Sequence, residues 1–177
     1  MKSQNNFIVT FCSVLHYNNR VSSFGSFYGR CRDKLFAYLM RRTGDYFLAS
    51  DILQESFARY LKRYGEREQN TALLYTIARN LAIDAVRQRA RNPHYSLEGE
   101  LQGGDPEQYF MVREDYRRVL KAFQQLDDDE RDVLALAVTD DLLYREIAQV
   151  VGISEANVKV KIHRARVKLR EIMRKGA

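Results

Sequence analysis

The chain has 177 residues, 45% of them hydrophobic, with a formal charge of +6 and a pI near 9.4. That length allows one domain or two small ones, and the charge points to a polyanionic partner, nucleic acid first. Cys12 and Cys31 are too few and too far apart for a zinc site or a disulfide framework, and no run approaches the roughly 20 apolar residues of a membrane span.

A reduced cytoplasm fits this composition. The mildly apolar run from Phe7 to Leu15 follows a single Lys2 and has no convincing cleavage site, so it is a poor signal peptide. Only two prolines occur, and strand-like alternation is missing, so the expected fold class is all-α.

Residues 1–22 show no apolar period and are expected to be a loosely ordered extension. Val21 is one reading of the natural start, if its codon is an alternative initiator. Helical patterning begins near Phe24 and runs to Arg42, with Phe27, Tyr28, Cys31, Leu35, Tyr38 and Leu39 inward. Thr43, Gly44 and Asp45 break it. A second helix runs from Tyr46 to Tyr64, with Ala49, Leu53, Phe57, Tyr60, Leu61 and Tyr64 at helical spacing. Its polar side carries Asp51, Gln54, Glu55, Arg59 and Lys62. After the charged loop 65–71, a third helix spans Ala72 to Arg91. Leu74, Ile77, Ala78, Leu81 and Ala85 face inward, and Arg79, Asn80, Asp84, Arg87, Gln88 and Arg91 face outward. These helices define a first domain, 23–91.

Asn92 and Pro93 end the third helix, because proline disfavours helix at the residue before it. Between Asn92 and Asp132 there are eleven Asp/Glu against five Lys/Arg. Residues 92–112 are read as a flexible acidic linker, and a helix is expected from about Pro106 to Leu126. The second domain is placed at 113–177. Asp127 is positioned to cap a helix, with Glu130 completing a capping box. A short helix follows from about Leu143 to Val151, then the break Gly152, Ile153, Ser154. Gly152 suits a left-handed helix end, and Ser154 suits an N-cap.

The last helix is one-sided. Val158, Ile162, Ala165, Leu169 and Ile172 form one face, and eight Lys/Arg against two Glu occupy 155–175. A short helix, a glycine turn and a helix with a cationic outer face form a helix-turn-helix signature. A helix entering the major groove needs donors for base edges and cations for phosphates. The layout is thus two small helical domains, each with a cationic helix, held apart by a tether that repels nucleic acid. Two such modules can grip two segments of one duplex and gain from effective concentration.

Three separated motifs resemble those of a bacterial RNA polymerase sigma factor, sigma-70 family, of the compact extracytoplasmic-function type. They are 49–57 (ASDILQESF), 74–84 (LYTIARNLAID) with Arg87, Arg89 and Arg91, and 144–148 (YREIA) continuing through 158–166 (VKVKIHRAR). The resemblance covers roughly 24–173, and the compact type that it implies is expected to have no further N-terminal domain and no intervening third domain. It implies that Asp51, Gln54 and Glu55 meet the polymerase clamp. It implies that Arg79, Asn80, Asp84, Arg87 and Arg91 serve the promoter −10 element, and that Lys159, Lys161, His163, Arg164 and Arg166 serve the −35 element. The loop 65–71 matches the place where the family captures a flipped base, with Tyr64 and Tyr75 as stacking candidates.

The implied partners are core polymerase (clamp and flap), promoter DNA and an anti-sigma factor, with no cofactor, no metal and no membrane insertion. No nucleophile–base set or phosphate loop is visible, so the chain is not expected to be an enzyme. The family often has Trp where this chain has Leu73 and Pro near Asn70. A stand-alone helix-turn-helix regulator is the alternative, and the 51–57 motif argues against it.

Overall fold

The computed structural model describes residues 23–91 and 114–175. The expectations for the N-terminal extension, the linker 92–112 and a helix start near Pro106 lie outside these residues. Seven helices form among the described residues: α1 Ser23–Thr43, α2 Tyr46–Tyr64, α3 Thr71–Arg91, α4 Glu114–Gln124, α5 Asp128–Ala137, α6 Tyr144–Val151 and α7 Glu155–Lys175. No strand occurs among the described residues, in agreement with the all-α expectation.

Local chemistry sets the helix boundaries. At the end of α1 the Thr43 hydroxyl donates to the Leu39 carbonyl at 2.8 Å, and Gly44 adopts φ +70°. The Asp45 carboxylate then caps α2 by accepting the Leu48 N–H at 2.9 Å. At the start of α3, the Asn70 side chain accepts from the Leu73 N–H at 3.1 Å, and the Tyr60 hydroxyl accepts the Asn70 N–H at 2.7 Å. Gly152 ends α6 at φ +78°, and the Ser154 hydroxyl accepts the Asn157 N–H at 3.2 Å, as the turn residues imply.

Two capping expectations fail. Asp127 precedes α5 without a side-chain cap bond, and its carboxylate instead takes Lys168 of α7 at 2.6 Å. Glu130 also goes to Lys168, at 2.7 Å. An ammonium between two carboxylates outcompetes backbone N–H groups that water can satisfy. At α6 only the return half of such a box forms, the Glu146 carboxylate accepting the Leu143 N–H at 2.7 Å.

Helices α1–α3 pack around an aromatic core. Phe24, Phe27, Phe57 and Tyr60 are buried, and the Phe27 and Tyr60 rings lie 5.3 Å apart. Helices α5–α7 pack around Val133, Leu134, Leu136, Ile147, Val158 and Ile162, which are nearly all fully buried.

The two bundles are not held apart. Helix α1 packs on α4 and α5, α3 packs on α6, and the buried residues form one continuous cluster. The expected separation rested on a negatively charged tether between two cationic modules. Acidic residues of the second bundle instead meet basic residues of the first. Asp132, with its side chain 3% exposed, accepts the Tyr38 hydroxyl at 2.8 Å and the Arg79 Nε at 2.6 Å. Arg42 reaches Asp128 at 3.3 Å, while its Nε sits 3.7 Å from Asp132 without a hydrogen bond. Asp141 takes Lys34 at 2.6 Å and the Tyr75 hydroxyl at 3.2 Å. The Gln124 side chain donates to the Arg41 carbonyl at 2.9 Å, alongside Gly44.

Candidate nucleic-acid and polymerase interface

Three surfaces carry the proposed site residues. On α2, Asp51, Gln54 and Glu55 are exposed, opposite buried Ile52, Leu53, Ser56 and Phe57. Glu55 pairs with Arg59 one turn on, at 2.7 Å. Partial burial, with the nearby Asp45 charge, raises the Asp51 pKa. Phe47 lies one turn before Asp51 and is 45% exposed, an apolar neighbour that the sequence reading did not single out. Its signal was available: an aromatic off the inward spacing of an otherwise amphipathic helix. Asp45 at the head of α2 binds Arg89 of α3 at 2.7 Å, which ties this surface to the next.

On α3, Asn80, Asp84, Arg87 and Arg91 are all exposed. Their spacings of four, three and four put them on one helical stripe. Asp84, Arg87, Gln88 and Arg91 line an open groove. Arg79 does not join them. One residue from Asn80 means about 100° of rotation, and that rotation aims Arg79 at Asp132 in the second bundle. Tyr75 is fully buried, with burial and the Asp141 charge raising its pKa, so it offers no face for base stacking. Tyr64 stays partly buried, with its ring 5.2 Å from Tyr60 and the Arg63 guanidinium 5.4 Å from its centre. A ring at 75 with helical spacing serves the core, as such rings usually do.

On α7, Val158, Ile162 and Ala165 are buried, while Lys159, His163, Arg164 and Arg166 are exposed. Lys159 pairs with Glu155 at 2.8 Å. Lys161 leaves the outward face: its side chain is 23% exposed and meets Asp129 of α5 at 3.1 Å. Lys168 likewise turns to α5, and its two carboxylate bonds raise its pKa. The flank of α7 therefore builds the bundle, and its outer face stays clear. Val160 stands in the middle of that outer face, 46% exposed, and the sequence reading did not single it out.

A short helix, a glycine turn and a helix exposing one cationic face define a helix-turn-helix module. With a second helical bundle carrying its own basic stripe, they define a two-module DNA-binding protein. Family models agree with both modules: sigma-70 region 2 matches residues 27–92, and sigma-70 region 4 matches 116–169. The ECF RNA polymerase sigma factor SigW of Bacillus subtilis is 30% identical over 160 residues, covering 81% of this chain and 84% of that protein. The ECF RNA polymerase sigma factor SigM of the same organism is 30% identical over 149 residues, covering 80% and 90%.

The solved structure of the sigma factor RpoE with the anti-sigma factor NepR from Bartonella quintana has a similar fold. Its TM-score is 0.69 at 23% identity, covering 87% of this chain and 98% of that one. The chain belongs to the extracytoplasmic-function sigma factors of the sigma-70 family. It is an RNA polymerase sigma factor that directs promoter-specific transcription initiation. Among the described residues no helix is long and apolar enough to cross a membrane.

Proposed function

We propose that the three exposed surfaces divide the work of initiation. Asp51, Gln54 and Glu55, with Phe47, dock the first bundle on the polymerase clamp, where an apolar anchor ringed by polar groups suits a protein partner. Asn80, Asp84, Arg87 and Arg91 meet the −10 element. Arg87 and Arg91 neutralise phosphates there, and Asn80 supplies a donor and an acceptor for a base edge. Lys159, His163, Arg164 and Arg166 of α7 meet the −35 element, while Lys161 and Arg79 act in the closed molecule as ion-pair partners. The polymerase flap receives the second bundle.

The factor itself is non-catalytic, since bond formation belongs to the polymerase, and it works in the cytoplasm. An anti-sigma factor restrains it, a reading supported by the likeness to RpoE, which was solved with its anti-sigma factor.

The observation that carries this assignment is the four-residue stripe of α3. Asn80, Asp84, Arg87 and Arg91 are all exposed on one line while Arg79 beside them is partly buried in its ion pair with Asp132. Run-off transcription with purified core polymerase tests it. Arg87→Ala and Arg91→Ala should each weaken open-complex formation, with a shallower salt dependence by about one ion per cation removed. An unchanged salt slope in both variants would exclude the stripe as the −10 surface.

A further inference from the structure

We propose that Val160 reads a thymine in the −35 element by burying the base's 5-methyl group. The inference rests on α7 occupying the major groove. Val160 is two residues from buried Val158 and from buried Ile162, so it projects directly away from the core. Ala156 one turn before it, and His163 and Arg164 one turn after it, share that exposed side. Val160 is the sixth residue of α7, within the N-terminal turns that reach base edges in a helix-turn-helix. A valine has no donor or acceptor, so its only means of discrimination in the major groove is an apolar contact. The thymine methyl is the apolar group that the groove presents. The occupant follows from charge: Lys159, Arg164 and Arg166 surround this apolar spot with cations suited to phosphates.

The test removes one methyl from the DNA. Promoter duplexes are selected from a random library by the reconstituted holoenzyme. Each −35 thymine is then replaced in turn by deoxyuridine. At one position this should weaken wild-type holoenzyme binding roughly three- to five-fold, the worth of one buried methyl. With Val160→Ala, whose shorter side chain contacts the methyl less, the same replacement should have a clearly smaller effect. Val167→Ala serves as control, because Val167 is exposed two turns farther from the helix start, and it should keep the full sensitivity. Equal deoxyuridine sensitivity in wild type and Val160→Ala, or none at any position, overturns the proposal. Failure of the holoenzyme to select any promoter would instead strike the placement of α7.

A separate observation carries a second inference: the contact between the bundles is a latch that opposes polymerase binding. Asp132 and Asp141 of the second bundle hold Tyr38, Arg79, Lys34 and Tyr75 of the first. The closed form engages Arg79 and joins two modules whose targets on polymerase and promoter lie apart. Apparent affinity falls by the fraction of molecules that are open. Lys34→Glu removes the exposed Lys34–Asp141 pair without touching the core, and Asp132→Asn removes the buried charge while keeping its shape. Both variants should scatter X-rays at small angle as a more extended free chain, and should bind core polymerase several-fold tighter than wild type. Variants that open without gaining core affinity overturn the latch. So does a chain that stays compact in both variants.

Discussion

The two bundles reach stability by different means. The first buries Phe24, Phe27, Tyr38, Phe57, Tyr60 and Tyr75, large rings that pack among Leu35, Leu39 and Leu74 in a three-helix core. The second buries one aromatic, Phe123, and otherwise small and aliphatic residues. It compensates with polar ties. The Arg131 guanidinium donates to the carbonyls of Phe123, Gln124 and Leu126 at 2.9, 2.8 and 2.8 Å, holding the turn between α4 and α5. Burial lowers the Arg131 pKa. Lys168 bridges α7 to α5, and the first bundle's Arg42 and Arg79 supply charge to Asp128 and Asp132. A bundle with few rings is thus held by hydrogen bonds to a helix end and by its neighbour. The flank of α7 is tied to α5 through Lys161 and Lys168, while its outer face stays exposed.

Substitutions can separate these two modes. The largest effect is expected for Phe57→Ala, which deletes a ring in contact with Phe24 and Tyr28. It should destabilise the first bundle by about 3–5 kcal/mol, read by thermal unfolding. The Gly152 and Ile153 amides of the second bundle, which donate to the Ala148 carbonyl, should keep their hydrogen-exchange protection. If both bundles melt together, the second has no independent stability.

Arg131→Met comes next. It keeps the apolar stem but leaves three carbonyls without this donor, at a cost of about 2–3 kcal/mol. That loss should appear in the unfolding of the second bundle alone. Gly44→Ala is smaller, roughly 1–2 kcal/mol for a side chain in the left-handed region. The added carbon would also meet the Gln124 Cδ at 3.0 Å, so the variant should loosen the bundles' contact as well. A denaturant titration shows whether the cost falls on the first bundle or on the docking.

The smallest effect at neutral pH, because it is nil there, concerns the tyrosines. Burial raises the pKa of Tyr38, Tyr60 and Tyr75, and a carboxylate charge adds to this at Tyr38 and Tyr75. A folded pKa above the unfolded one leaves stability whole below about pH 10 and removes it as pH rises beyond that. Tyrosine absorbance and unfolding should therefore rise together in alkali. Tyr38→Phe and Tyr75→Phe should flatten that dependence. If the absorbance step precedes any unfolding, the rings ionise in place and are less enclosed than their burial implies.

Much of the architecture was legible in the chain. Breaks at Gly44, Gly65 and Gly152 mark helix ends because each glycine takes positive φ there. The period of 158, 162, 165, 169 and 172 marks the inner face of α7. Asp51, Gln54, Glu55, Asn80, Arg87 and Arg164 are on the surface as their spacing implies. Residues that change partner across the fold were not legible. Asp127 and Glu130 have the spacing of a cap but choose Lys168, about forty residues away. Arg79 has the spacing of a surface cation but lies at the edge of its stripe. Val160 and Phe47 lie off the inward spacing of their helices, and the sequence reading singled out neither.

The sequence by itself determined seven helical segments, two helix sets and their cationic outer faces. Each of these depends on neighbours within a few turns, where 3.6-residue periodicity and capping chemistry act. Only the tertiary structure decided that the two sets close on each other through Asp132 and Asp141. It alone decided which cations remain exposed. A charged side chain is indifferent between water and a distant partner until folding brings that partner within about 3 Å. The choice between Lys161 paired to Asp129 and Arg164 facing solvent therefore belongs to packing, not to composition.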